Sequence, residues 1–340
     1  MSNDSVIQVE NLVKWFPVRV GFFSTIFSRR QLFVKAVDGI DLDIRKKEIF
    51  GLVGESGSGK TTTGRLLLRL IDSTSGKIKF KGKDITTITE QELKPLRQKM
   101  QIVFQDPYES LNPRMVILDI VSEPLQIQGI AGGEDAKKLV QRALEDVELA
   151  PAREFMYRFP HELSGGQRQR VAIARAFVVS PEFIVADEPV SMLDVSIRAE
   201  ILDLMVNLMN KFDVSFLYIT HDLALARHLC NRIAVMYLGK IMERGDAEKI
   251  VFEPLHPYTK ALISAVPVPD PSTKRSEIVI KGEIPSPINP PSGCRFHTRC
   301  PIAQFPLCKE KEPPLSEHED GHFAACHLIK TAGWKNYIAI

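Results

Sequence analysis

The sequence predicts an α/β fold, a mainly parallel sheet covered by helices, interrupted by a helical subdomain and followed by a small cysteine-bearing tail. Three observations predict it. Apolar, strand-like runs alternate with helical patterns, the order in which a parallel sheet is wound. A glycine-rich loop follows the most apolar of these runs and opens a helix. Of the 22 prolines, 13 fall after residue 250, so the character of the chain changes near Pro254 and the two parts are divided as 1–253 and 254–340.

Taken in order, 48–53 (Glu-Ile-Phe-Gly-Leu-Val) reads as a buried strand. A helix over 61–71 follows, with Leu66, Leu67, Leu68 and Leu70 on its apolar side. Further strands are expected at 102–104, 183–186, 214–219 and 233–237. Between the first two of these the pattern is helical at 117–128, 134–147 and 166–179, which places a helical subdomain at about 106–180. The many charges between 153 and 176 read as solvated helix faces. Past Pro254, the prolines of 266–271 and 284–291 forbid regular helix, because proline lacks the amide hydrogen and restricts its predecessor. These stretches read as an extended linker into the tail.

With 44% hydrophobic and 25% charged residues among 340, wholesale disorder is excluded. Lys plus Arg at 44 against Asp plus Glu at 42 leaves +2, so bulk charge gives no reason to expect nucleic acid as a partner. No run reaches the roughly 18 apolar residues of a spanning helix. The opening residues lack the basic-then-apolar order of a secretory signal, and the expectation is a cytosolic chain.

Gly54, Glu55, Ser56, Gly57, Ser58, Gly59, Lys60 and Thr61 fit G-x-x-x-x-G-K-[ST], with a strand before and a helix after. Glycines there let backbone amides converge on phosphate oxygens, and the helix N-terminus adds favourable partial charge. Lys60 reaches for the β- and γ-phosphates, and the Thr61 hydroxyl is a ligand for Mg²⁺. The strand at 183–186 ends in Asp187 and Glu188. Asp187 is assigned to the metal and Glu188 to the general base that activates water.

Leu163-Ser164-Gly165-Gly166-Gln167, shortly before that acidic strand, resembles the signature of ATP-binding cassette proteins. The resemblance implies a P-loop cassette with an antiparallel β subdomain beside the parallel core and an inserted helical subdomain. It implies ATP held at Gly54 to Thr61 and Thr62, while Ser164, Gly165, Gly166 and Gln167 face the ATP of a partner chain. Gln105 matches the glutamine that contacts Mg²⁺ and water and senses the membrane partner. His221 matches the histidine at the γ-phosphate. Ser191-Met192-Leu193-Asp194 resembles the dimer-contacting loop, in which Asp194 is the functional residue and Met192 departs from the usual Ala. Asn11 to Phe16 resembles the segment that stacks an aromatic ring on adenine, with Phe16 the better alignment and Trp15 its competitor.

The stretch 17–35 is a longer insertion, its aromatics and arginines suiting either a membrane-proximal surface or a hairpin. Residues 254–259 and 291–301 resemble the C-terminal region of the ATPase subunits of dipeptide, oligopeptide and nickel importers. That implies an ATPase at the cytoplasmic face of the membrane, working with two integral membrane permeases, an extracellular binding protein, and a second cassette that is a paralogue or a copy of itself. Cys294, Cys300, Cys308 and Cys326 could take Zn²⁺ or a [4Fe-4S] cluster, and the resemblance favours the cluster, as a staple for a tail too small to build its own core. Cys230 is expected in the core. Oligosaccharide or nickel uptake, or a soluble ATPase outside transport, are the alternatives.

Overall fold

The computed structural model describes residues 4–18, 31–265, 278, 280, 282–329, 331 and 334. Two long strands, β1 (Ser5–Pro17) and β2 (Phe33–Arg45), lie antiparallel, with Val9 opposite Leu42 and Leu12 opposite Ile40. Apolar β-branched and leucine side chains at such paired positions stack across the strands and cover one face. Next come β3 (Ile49–Val53), buried at every position, and α1 (Lys60–Leu67). β4 (Ser75–Phe80) pairs with the free edge of β1, and β5 (Lys83–Asp84) completes a four-stranded antiparallel sheet ordered β2-β1-β4-β5. The apolar face of that sheet and the main sheet share one core, in which Leu66, Leu67 and Leu68 meet Val9, Ile40, Leu217 and Ile219. Gly64 lets α1 lie close on the main sheet, since a Cβ there would come within 2.8 Å of Val185.

α1 ends four residues earlier than the leucine pattern predicts. Arg69 takes a left-handed φ of 52° and breaks the helix, so Leu70 is 45% exposed instead of packed.

The chain continues through α2 (Glu90–Lys99), β6 (Met100–Val103) and α3 (Pro107–Ser110) into α4 (Ile117–Gln128), α5 (Gly133–Asp146), α6 (Arg153–Met156) and α7 (Gly165–Phe177). The expectation of solvated faces over 153–176 holds for Arg153, Glu154 and Glu162, which are exposed, and needs correction for two arginines of α7. Arg168 is buried, with its guanidinium 3.7 Å from the Tyr108 ring centre and donating to the Pro160 carbonyl at 3.2 Å. Arg175 donates to the Ser110 carbonyl at 2.6 Å, and burial pulls its pKa down. These cations tie α7 to α3 and to the segment at Pro160, a use of arginine that charge counting cannot see.

β7 (Phe183–Asp187), α8 (Val195–Phe212), β8 (Ser215–Thr220), α9 (Leu223–Leu229) and β9 (Arg232–Tyr237) complete the parallel core, ordered β9-β3-β8-β7-β6. All five expected strands are present, within two residues at each end. Fully apolar strands fit a sheet covered on both faces. β10 (Lys240–Asp246) folds back antiparallel on β9, and Cys230 is buried as expected.

The rest of the chain wraps around this core: α10 (Ala247–Phe252), α11 (Pro257–Ser264), α12 (Leu307–Glu310) and the hairpin β11 (Ser316–Glu319) and β12 (His322–Ala324). β12 pairs with β10, Glu243 opposite Ala324, so the hairpin extends the main sheet to eight strands. Residues 284–291 contain no helix, as the prolines require, whereas 266–271, and 19–30 of the insertion at 17–35, lie outside the described residues.

Candidate nucleotide site

The loop between β3 and α1 is shaped by two glycines that nothing larger could replace. A Cβ on Gly54 would stand 2.1 Å from the Met236 carbonyl oxygen, and one on Gly59 2.1 Å from that of Ala36. Gly59 also has φ of 109° and begins α1, so it turns the backbone where the helix dipole is positive. Lys60 folds back across the loop, donating to the carbonyls of Gly54 at 2.7 Å and Glu55 at 3.0 Å. Burial pulls its ammonium pKa down, opposed by Glu188, Asp187 and Glu55. Burial strips the ammonium of water, so an incoming phosphate would meet a poorly solvated cation. Ser58 is buried with its hydroxyl unpartnered in the structure.

A cleft of about 690 Å³ opens over this loop, lined by Glu55, Ser56, Gly57, Lys60, Thr61 and Thr62, with Gln105, Glu188 and His221 across it. Thr61 Oγ1 donates to Asp187 Oδ1 at 3.1 Å, joining the helix start to the end of β7. Burial raises the Asp187 pKa, with Glu188 adding to it and the Thr61 hydrogen bond opposing it. Hydroxyl and carboxylate oxygens side by side are hard donors of the kind Mg²⁺ takes, one or two from protein and the rest from phosphate and water. Glu188 receives a hydrogen bond from Gln105 Nε2 at 3.3 Å and lies 3.0 Å from His221 Nδ1. Three loops, after β6, β7 and β8, thus converge on one carboxylate, at the C-terminal ends of parallel strands where such sites form.

The remaining expected residues lie apart from this cleft. Ser164 caps α7, accepting the Gln167 N–H at 3.3 Å while Gln167 Oε1 accepts the Ser164 N–H at 3.0 Å. Ser164 is exposed and Gly165 partly exposed, whereas Gly166 is buried against Ile197. Asp194, exposed, precedes α8, next to Met192, 63% exposed. Neither Trp15 nor Phe16 lines the cleft. Trp15 is committed elsewhere, its indole donating to Asp38 at 2.9 Å under Lys35, whereas Phe16 is 37% exposed and pairs with Val34, which does line the cleft.

Sequence reasoning missed the tail's part in the site. The Glu55 N–H donates to the Tyr258 hydroxyl at 3.0 Å, Arg299 pairs with the Glu55 carboxylate at 2.7 Å, and Leu262 and Pro287 line the cleft. No local signal carries these contacts.

The four-cysteine site needs correction. Among the described residues, no three His, Cys, Asp or Glu side chains gather in a way that could hold a metal ion. Burial pushes the thiols of Cys294 and Cys300 up to about 12 and that of Cys326 to about 11. The sulfurs of Cys308 and Cys326 accept backbone N–H groups from Gln304 and Leu328. Neither an iron–sulfur cluster nor zinc is supported. The tail is instead seated on the core of its neighbour. Phe296, fully buried, packs against Tyr237, Tyr258 and His256 with ring centres 5.2–5.9 Å apart.

A glycine loop on a parallel sheet, with a buried lysine and an acidic strand end facing it, defines a phosphate-binding-loop nucleoside triphosphatase. The ABC transporter family profile matches residues 37–191, and that of the oligopeptide/dipeptide transporter C-terminal region matches 242–308. The oligopeptide transport ATP-binding protein AppF of Bacillus subtilis (strain 168) is 48% identical over 330 residues, covering 96% of this chain and 98% of that protein. Among solved structures, the dimeric post-hydrolysis state of the ATP-binding cassette MJ0796 with ADP and Pi superposes with a TM-score of 0.61 at 29% identity, over 71% of this chain and 98% of that one. CbiO1 of Clostridium perfringens, part of the ABC transporter complex cbiONQ, gives 0.62 at 27% identity, over 74% and 92%. The chain belongs to the ATP-binding cassette transporter ATPases, in the branch that carries the oligopeptide/dipeptide C-terminal region. It is an ATPase.

Proposed function

We propose that this ATPase powers the import of di- and oligopeptides through two separate membrane permeases, fed by an extracellular binding protein. The observation that carries this reading is the match of residues 242–308 to the oligopeptide/dipeptide C-terminal region, in a chain that aligns end to end with an oligopeptide transport ATP-binding protein. Among the described residues no helix is long and apolar enough to cross a membrane. The ATPase sits peripherally on the cytoplasmic face and pairs with a paralogous cassette or a copy of itself.

In the site, the loop from Gly54 to Thr62 holds the triphosphate, with Lys60 turning from the two carbonyls to the β- and γ-phosphates. Phe16 stacks on the adenine. Thr61, Asp187 and Gln105 hold Mg²⁺, which when bound offsets charge on the phosphate oxygens. Glu188 takes the proton of the attacking water as its oxygen bonds to the γ-phosphorus and the bond to the leaving ADP oxygen breaks. Gln105 and His221 orient that carboxylate, His221 also reaching the γ-phosphate. Ser164, Gly165, Gly166 and Gln167 cap the γ-phosphate on the partner chain, and Asp194 contacts the partner.

Uptake into vesicles carrying the permeases, binding protein and cassettes tests the cargo. Labelled di- and oligopeptides should accumulate with Mg-ATP, unaffected by excess nickel or oligosaccharide. Accumulation of nickel or oligosaccharide in place of peptide would contradict the assignment.

A further inference from the structure

Glu55 is an awkward residue for an anion site. Glu55 lines the cleft where a triphosphate would lie, and a carboxylate near a polyanion is repelled by it in a partly desolvated site. The tail answers this charge. Arg299, 9% exposed, meets both carboxylate oxygens, Nη1 to Oε2 at 2.7 Å and Nη2 to Oε1 at 3.3 Å, the fork geometry that makes such pairs strong. The Tyr237 hydroxyl lies 3.4 Å from the same Nη1. Tyr258, packed on Tyr237 with ring centres 4.8 Å apart, accepts the Glu55 amide, and Lys60 grips the Glu55 carbonyl. Every polar group of Glu55 is therefore spoken for, two of the three by residues beyond Pro254. Further along, the Pro287 carbonyl accepts the Lys35 N–H at 3.0 Å, which places Pro287 on the cleft wall beside Val34 and Ala36.

We propose that the C-terminal extension completes the nucleotide site in cis, with Arg299 and Tyr258 as positioning residues that hold the phosphate loop open and cancel the charge of Glu55. This inference rests on the reading of the cleft as the triphosphate site. It makes ATP affinity a property of cassette and tail together. Whatever displaces the tail uncovers a carboxylate beside the phosphates and weakens the grip on ATP.

The test is the dissociation constant of the full chain for Mg-ATP. Arg299→Ala should bind about tenfold more weakly, because a bare carboxylate faces the polyanion. Arg299→Lys, which keeps the charge and loses the fork, should fall between. Tyr258→Phe should weaken binding several-fold. Adding Glu55→Gln to Arg299→Ala should recover most of the lost affinity, and raised salt should shrink the Arg299→Ala deficit. A variant harmed only in folding shows neither recovery nor salt relief, and that result, like unchanged affinity in Arg299→Ala, overturns the proposal. Failure of the unmodified chain to bind ATP, or retention of binding by Lys60→Ala, would instead overturn the reading of the cleft and this inference with it.

Discussion

His221 Nδ1 stands 3.0 Å from the Glu188 carboxylate, and Glu188 itself is held at a left-handed φ of 45°. Strain of this kind costs about 1–3 kcal/mol and persists where the surroundings fix it. Here the Glu188 N–H bonds to the Ile219 carbonyl on β8, and its carbonyl accepts the Ser191 hydroxyl. The backbone is turned so that the side chain leaves the strand end and meets His221 and Gln105 over the cleft.

Glu188→Gln keeps the shape of the side chain and removes its ability to take a proton. Steady-state ATP turnover of the assembled complex should fall by about 10²-fold or more, with nucleotide still bound. His221→Ala should lower turnover less, because it leaves the base in place and frees only its orientation. A phosphate-release assay on both variants checks the order.

Gly59→Ala forces a Cβ against the Ala36 carbonyl at a φ that L residues rarely adopt. The loop must shift, and nucleotide affinity should drop at least as far as for Lys60→Ala. Equilibrium titration with a fluorescent ATP analogue reads this directly.

His256 is buried, its Nδ1 accepting the Tyr258 N–H at 3.1 Å, and burial pulls its pKa from 6.5 to about 3. The unfolded chain therefore takes up this proton first as pH falls. Stability from the neutral ring is complete above pH 6.5 and is lost as pH drops toward 3, at no more than about 1.4 kcal/mol per pH unit. His256→Asn, which can cap α11 without titrating, should flatten the urea midpoint across that window.

Phe296→Ala removes a fully buried ring from the cluster that seats the tail. A loss of about 3–5 kcal/mol is expected, read as a lower thermal midpoint. Replacing Cys294 and Cys308 together by Ala should cost much less, because these buried side chains are small and lose far less packing than a ring.

The parallel core was legible because its signals are local. β3, the glycine loop and the start of α1 are written in consecutive residues, and the acidic end of β7 likewise. The helix end at Arg69 was not, since a left-handed arginine has no sequence mark. Arg168 and Arg175 of α7 read as solvent-facing because their acceptors, Pro160 and Ser110, lie on other segments. Proline content and cysteine crowding predict a stapled appendage for the tail. Its true anchors are the pairing of β12 with β10, the ion pair of Arg295 with Asp38, and Lys240 to Glu312 at 2.7 Å. All join residues far apart in sequence, which composition and spacing cannot reveal.

In the proposed mechanism two cassettes enclose ATP between the phosphate loop of one and the Ser164 helix start of the other. Sedimentation of the Glu188→Gln chain, alone and mixed with its companion cassette, tests it most directly. With Mg-ATP a two-cassette species should form, and it should disappear when Lys60→Ala or Ser164→Arg is added. Single cassettes at saturating Mg-ATP in both preparations would contradict it.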